Sequence, residues 1–276
     1  MSGWEPSVSE FVNRNRLAWQ RMASAGHRLA KPVSAEELAA PLASVDSMGW
    51  LGPSIAGWRV LCLAAGGGRH GPLYAAAGGN VTVVDFSSEM LERDRVIARQ
   101  YDLHLRLIET SMDQLSALQD SEFDLVIHPV STCYLPEIRR VYREVARVTR
   151  PGGLYVSQHK QPASLQSSLA PERGRYVWQY PAGSSQPLPP AGYDQLIREP
   201  ETFEYAHPLG LLLGGMCQAG FVIEDLLEPP HADPLAAAGS FGHRSHFIPP
   251  YLRIKARRKP ADQDKITVLD IVEQLS

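Results

Sequence analysis

The chain has 276 residues, 44% of them hydrophobic and 21% charged, with a formal net charge of −3. That composition excludes dominant low-complexity disorder, and the charge balance gives no general attraction to nucleic acid or anionic lipid. The length suits one large domain, or a domain with a cap, able to bury a sizeable core.

No window reaches the apolar length of a membrane span, and the opening MSGWEPSVSEFVNRNR lacks a signal-peptide core. A cytoplasmic location is the expectation. Cys62, Cys133 and Cys217 are scattered without metal-ligand spacing, so free thiols and no metal site are expected.

Residues 1–54 read as a helical lid segment. Phe11, Val12, Leu17, Ala18 and Trp19 form an apolar stripe, with Asn13, Arg14, Asn15, Arg16 and Gln20 mostly off it. Ser34 followed by Glu36 and Glu37 marks a helix start, and residues 46–53 break it. Trp19 and Trp50 read as packing against a sheet, with a pocket-lining lid as the alternative.

Next comes WRVLCLAAGGGRHG, from Trp58 to Gly71. Val60, Leu61, Cys62 and Leu63 predict a strand buried on both faces. Gly66, Gly67, Gly68 and Gly71 follow, with Pro72 suited to the first turn of a helix. Strand, glycine turn and helix together present bare backbone and free N–H groups to a ligand.

A short helix over 73–77 leads to a second strand over 80–85, which ends on Asp85. That acid lies about twenty residues after the first glycine, the spacing at which a carboxylate reaches ribose hydroxyls. Ser87 or Ser88 caps a helix over 89–101 with Met90, Leu91, Val96 and Ile97 on its apolar face. A third strand over 103–108 reaches Ser111, Met112 and Asp113, and a fourth covers 123–129. The helix over 135–148 turns Ile138, Val141, Tyr142, Val145 and Val148 inward, and Arg150-Pro151-Gly152-Gly153 stops it before a fifth strand over 154–157. Five strands alternating with helices imply a parallel α/β sheet with right-handed crossovers.

Residues 161–200 are rich in Pro, Gly, Ser and Gln, with Tyr176, Trp178, Tyr180 and Tyr193. A loop this long reads as a substrate-capping insertion. A helix over 207–219, a strand over 220–227 and an alternating strand over 251–257 follow. Arg253, Lys255, Arg257, Arg258 and Lys259 read as a solvated face with a polar tail, and a short helix begins at Asp262.

These blocks resemble the class I S-adenosylmethionine-dependent methyltransferases, closely over 50–160 and more loosely over 204–256. Val60 to Gly68 stands where that family has VLDLGCGTG. VVDFS at Val83, FDLVI at Phe123 and the RPGG run at Arg150 match its later motifs. The blocks LCLAAGGGRHG, VDFS, HPVSTCYLPE and RVTRPGG are closest to bacterial small-molecule methyltransferases of uncharacterised substrate.

The resemblance implies a Rossmann-like, doubly wound, mostly parallel seven-stranded sheet with its last strand antiparallel. It divides the chain into a lid segment (1–54), a cofactor core (55–160), an insertion (161–203), the rest of the core sheet (204–260) and a tail (261–276). It implies S-adenosylmethionine as cofactor, passed over Ala64, Ala65, Gly66 and Gly68, with Asp85 on the ribose and Phe86 and Met90 near the adenine. Met112, with Ser111 or Asp113, would lie at the adenine edge, and Pro129 and Val130 would face the sulfonium. Two positions depart from the family: Cys62 replaces its usual acid in the first motif, and Ser111 the one at the adenine edge.

The expected reaction is in-line methyl transfer to a small-molecule acceptor, with His128, Tyr134 and His207 as candidate bases. No Asn-Pro-Pro-Tyr-type tetrad or basic groove points to nucleic acid. The alternatives are a cofactor-binding protein without catalysis and an NAD(P)-dependent oxidoreductase, whose glycine fingerprint is similar.

Overall fold

The computed structural model describes residues 8–27, 31–181, 183, 186–190 and 197–260. The helix expected from Asp262 and the aromatic Tyr193 lie outside these residues. Among the described residues no helix is long and apolar enough to cross a membrane.

Three helices precede the sheet: α1 (Val8–Ser24), α2 (Ala35–Ala39) and α3 (Pro41–Val45). Ser34 and Glu37 form a reciprocal capping box at the start of α2. The sheet alternates with helices in the order β1 (Arg59–Leu63), α4 (His70–Ala76), β2 (Asn80–Asp85), α5 (Ser88–Gln100), β3 (Leu105–Glu109), β4 (Phe123–His128), α6 (Ile138–Val148) and β5 (Thr149–Lys160). Then come α7 (Pro162–Gln166), α8 (Leu209–Gln218), β6 (Phe221–Leu227), α9 (Phe241–Ser245) and β7 (Tyr251–Arg258). The strand order is β3-β2-β1-β4-β5-β7-β6. β1 to β5 run parallel, and β7 inserts antiparallel between β5 and β6.

The continuous apolar run of β1 is explained by cover on both faces. Leu61 and Leu63 pack with Ile138, Val141 and Tyr142 of α6 and Met216 of α8. Val60 and Cys62 pack on the other side with Tyr74 of α4, Leu91 of α5 and Leu51.

Several local expectations are corrected. Leu17 is exposed, whereas Asn15 is fully buried. The Asn15 carboxamide donates to the carbonyls of Tyr134 and Phe203 and accepts from the Phe203 N–H, so it faces the insertion rather than water. Val96 is likewise exposed, whereas Asp94 two residues earlier is fully buried. The Arg150-Pro151-Gly152-Gly153 run lies inside β5, at a register shift against β4, and is not a turn ahead of the strand. Gly153 is needed there because a Cβ would stand 2.8 Å from Thr149 Cγ2 and 2.9 Å from the Arg150 carbonyl. The late helix begins at Leu209 and leaves His207 outside it. Helix α4 begins at His70, three residues earlier than expected.

The insertion carries more structure than its composition suggests. Arg244 of α9, 1% exposed, donates to Ser164 Oγ and to the carbonyls of Ser164 and Ser168, fastening α9 to α7. Leu165, Leu188, Ile197 and Ala206 pack there against Cys133 and Tyr134.

Candidate active site

In a parallel α/β sheet the crevice beyond the carboxyl ends of the strands is where ligands bind. Here that crevice starts at the turn after β1. Ala64 sits at φ 48°, Gly67 at 121° and Gly68 at 78°. A left-handed alanine is a strained residue of the kind that clusters at ligand sites. Gly66 has no room for a side chain, because a Cβ would stand 2.9 Å from Met90 Cβ and 3.0 Å from Asp85 Oδ2.

Two carboxylates hold this turn from behind. Asp85 at the end of β2 accepts from the Gly66 N–H and the Ser87 N–H, each at 3.0 Å. Burial pushes its pKa up to about 6, against the pull of those N–H groups. Asp94 of α5, fully buried, accepts from the Gly67 N–H at 2.9 Å. Its own pKa is raised by burial to about 7, and its Oδ1 has no partner among the described residues. Sequence reading missed Asp94, which stands among charged residues on an amphipathic helix. Cys62, the position where the related motif has an acid, is packed in the core with its thiol pKa raised by burial.

The crevice encloses a cavity of about 370 Å³. Among the expected cofactor residues, Ala64, Ala65, Gly66, Asp85, Phe86, Met90, Pro129 and Val130 line it. Gly68 does not: it packs against α5, and its carbonyl accepts from the Val33 N–H. Ser111, Met112 and Asp113 also lie outside the lining, with Met112 buried against Ser131. A larger hollow of about 910 Å³ lies at the opposite end of the sheet, among Arg59, Asn80 and Arg106, and contains none of these residues.

The far wall and roof come from elsewhere in the chain. Trp19 of α1 packs edge-on against Tyr134, with ring centroids 5.9 Å apart, and both line the cavity. The lid alternative for Trp19 is therefore the geometry observed. Trp50 instead donates to Asp225 Oδ2 at 3.0 Å. The Tyr134 hydroxyl donates to Glu199 Oε2 at 2.7 Å, and the Lys160 ammonium donates to the same oxygen. Lys160 also reaches Glu204 at 3.1 Å. All four groups are nearly excluded from solvent. Burial opposes the Glu199 charge, but Lys160 and Tyr134 outweigh it and hold its pKa below the ordinary value. Burial and the neighbouring carboxylate raise Glu204. Glu199 is a cavity carboxylate that the composition of the insertion did not reveal.

The two histidines expected as bases are committed to other bonds. His128 is buried, with Nδ1 2.7 Å from the Tyr155 hydroxyl and Nε2 2.7 Å from Ser131 Oγ. Burial pushes its pKa down to about 3. His207 donates through Nε2 to the carbonyls of Leu135 at 2.9 Å and Thr132 at 3.3 Å and stacks on Tyr205. It lies outside the cavity. Of the three candidates, Tyr134 alone lines it.

The basic face of β7 also differs from expectation. Arg257 pairs with Glu224, and Arg258 donates to the carbonyls of Arg147 and Thr149. Arg253 lines the cavity.

Comparison with known proteins agrees with this geometry. A methyltransferase domain model matches residues 61–157. The chain is 30% identical over 235 residues to the uncharacterised methyltransferase YbaJ of Bacillus subtilis strain 168, covering 80% of this chain and 91% of that one. An S-adenosylmethionine-dependent methyltransferase from Mesorhizobium loti superposes with TM-score 0.59 at 24% identity, over 82% of this chain and 99% of that one. The 1,6-didemethyltoxoflavin-N1-methyltransferase of Burkholderia thailandensis, solved with 1,6-didemethyltoxoflavin and S-adenosylhomocysteine bound, superposes with TM-score 0.59 at 16% identity, over 94% and 93%. A seven-stranded sheet of this order, a strained glycine turn backed by Asp85 and similarity to YbaJ over most of both chains make the chain a member of the class I S-adenosylmethionine-dependent methyltransferases.

Proposed function

We propose that the protein transfers a methyl group from S-adenosylmethionine to a small-molecule acceptor held between the turn after β1 and the roof made by α1 and the insertion. The observation that carries this reading is the single cavity joining Ala64, Gly66 and Asp85 to Tyr134 and Glu199. Bound there, the cofactor supplies an electrophilic methyl group for in-line displacement by the acceptor. Asp85 accepts from the ribose hydroxyls, Phe86 and Met90 pack on the adenine, and the bare backbone of Ala64 to Gly66 admits the methionine portion. Pro129 and Val130 face the reacting centre.

The roof excludes water and orients the acceptor, which is the main contribution a protein makes to such a displacement. Glu199 accepts a hydrogen bond from the acceptor, and the charges around it fix its orientation. Tyr134, whose pKa is raised by burial and by Glu199, stays neutral and acts as a hydrogen-bonding wall. The enclosed cavity and the small heterocycle bound in the Burkholderia thailandensis enzyme support a small acceptor.

Calorimetric titration of dialysed protein with S-adenosylmethionine and with NAD is the first test. Heat with the former alone is expected, and heat only with NAD overturns the reading. Release of S-adenosylhomocysteine against a panel of small acceptors then tests turnover. Tight cofactor binding without release on any acceptor supports a binding protein instead.

A further inference from the structure

A second, smaller chamber of about 190 Å³ adjoins the cofactor cavity. The two share Arg69, His70, Pro129, Gln158 and Arg253 as common wall. The inference below rests on the methyltransferase reading, which puts the reacting centre beside Pro129. The chamber therefore opens beside that centre and offers an acceptor room to extend.

Its lining is apolar on one side, with Met48, Trp50, Tyr74 and Ile127, and the Trp50 ring is fixed by its bond to Asp225. The other side carries charge. Arg69 is neutralised by Glu37 through bonds of 2.6 and 3.0 Å. Asp46 has both carboxylate oxygens occupied by the N–H groups of Trp50 and Leu51. Arg253 differs, because no carboxylate pairs with it among the described residues. Its Nε and Nη2 both donate to Gln158 Oε1, at 3.1 and 2.9 Å, and Nη1 reaches Ser47 Oγ at 3.5 Å.

One edge of the guanidinium is thus taken by a neutral amide. The other edge, between the two Nη atoms, has only the long Ser47 contact as acceptor among the described residues. The Gln158 amide N–H groups have no protein acceptor among the described residues. A guanidinium edge with two parallel N–H groups matches a carboxylate bidentately. The neighbouring Asp46 charge weighs against a dianion such as a phosphate monoester. We infer that the methyl acceptor is a small aromatic or similarly apolar carboxylate, its reacting end under the roof, its anionic group held on Arg253 and Gln158 in the common wall, and an apolar part reaching into the small chamber.

The test uses the full chain saturated with S-adenosylhomocysteine and probes it by calorimetry with benzoate, benzamide and phenyl phosphate. Benzoate should bind at least tenfold more tightly than the other two. R253Q should abolish that preference, and R253K should retain part of it. S-adenosylhomocysteine affinity should stay within twofold of the wild type in both variants. Equal binding of benzoate and benzamide, tighter binding of phenyl phosphate, or no binding of any probe overturns the inference.

It is also overturned if R253Q weakens S-adenosylhomocysteine but leaves 5′-methylthioadenosine, which lacks the amino-acid portion, unaffected. Arg253 would then hold the cofactor carboxylate. Failure of the wild type to bind S-adenosylhomocysteine overturns the cofactor reading itself, a result separate from any loss of anion preference.

Discussion

On the β1–β2 side of the cavity the wall is mostly backbone. On the roof side it is side chains drawn from distant parts of the chain, Trp19, Tyr134 and Glu199, with buried charges bonded to Glu199 outside the lining. The first wall is assembled within about thirty residues, from Ala64 to Asp94, and its carboxylates act by holding the N–H groups of Gly66 and Gly67. The second joins Tyr134, Lys160, Glu199 and Glu204, with Glu199 39 residues from Lys160 and 65 from Tyr134. A backbone cradle can serve every member of a cofactor family, since it recognises what they share. A charged roof is set by whatever lies beneath it, and it is the part free to differ.

The largest expected effect tests the roof. Lys160→Met leaves two carboxylates in a site with almost no solvent access, and breaking a buried ionic cluster this way costs about 3–5 kcal/mol. Urea unfolding should show that loss, and adding Glu204→Gln should recover part of it. An unchanged midpoint would show that the roof charges are solvated and that the two walls are more alike than described.

The cradle is tested next by Asp85→Ala, which removes the carboxylate proposed to accept from the ribose. S-adenosylhomocysteine affinity should fall by roughly a hundredfold, about 3 kcal/mol by calorimetry. Glu199→Gln should leave that affinity within a few fold, because the roof faces the acceptor.

The two walls also differ in their response to pH. Asp85 has its pKa raised to about 6, and in the proposed role it accepts from two hydroxyls most strongly when ionised. Cofactor affinity should therefore be level above pH 6 and decline below it, approaching about tenfold per pH unit. The same raised pKa means that this group's contribution to fold stability is complete below its unfolded value of 3.8 and is lost as pH rises through about 6. Binding and stability should thus respond to Asp85 in opposite directions, and Asp85→Ala should remove its share of each while Asp94 keeps its own effect on stability.

The smallest effect concerns His207→Ala. It deprives the Thr132 and Leu135 carbonyls of a donor, for a loss of about 1–2 kcal/mol without change in cofactor affinity. A fall in turnover well beyond the loss of stability would return His207 to the reaction.

What the sequence made legible follows the same division. β1, the glycine turn, β2 with its terminal acid and the inward face of α6 are local patterns, written in adjacent residues as continuous apolar runs or with period 3.6. Asp94 was hidden because one buried acid on a charged helix looks like its solvated neighbours. Arg253 was assigned to water by the alternation of β7. That alternation correctly separates the two faces of the strand, but it does not show that the Arg253 face meets Gln158 of β5. Glu199 and Lys160 carried no signal, because their meaning depends on an encounter between the insertion and the end of β5. The resemblance also placed Ser111, Met112 and Asp113 at the cavity, and the packing of Met112 beneath Ser131 does not.

Asn15 gives the roof a further property. One carboxamide bridges the backbone at Tyr134 and at Phe203, so α1, the segment after β4 and the end of the insertion are closed by a single group. Such an arrangement opens as one cooperative unit rather than as three independent flaps. Hydrogen exchange should give the Phe203 amide the same opening free energy as the middle of α1. Asn15→Ala should therefore speed exchange at Phe203 and in α1 together.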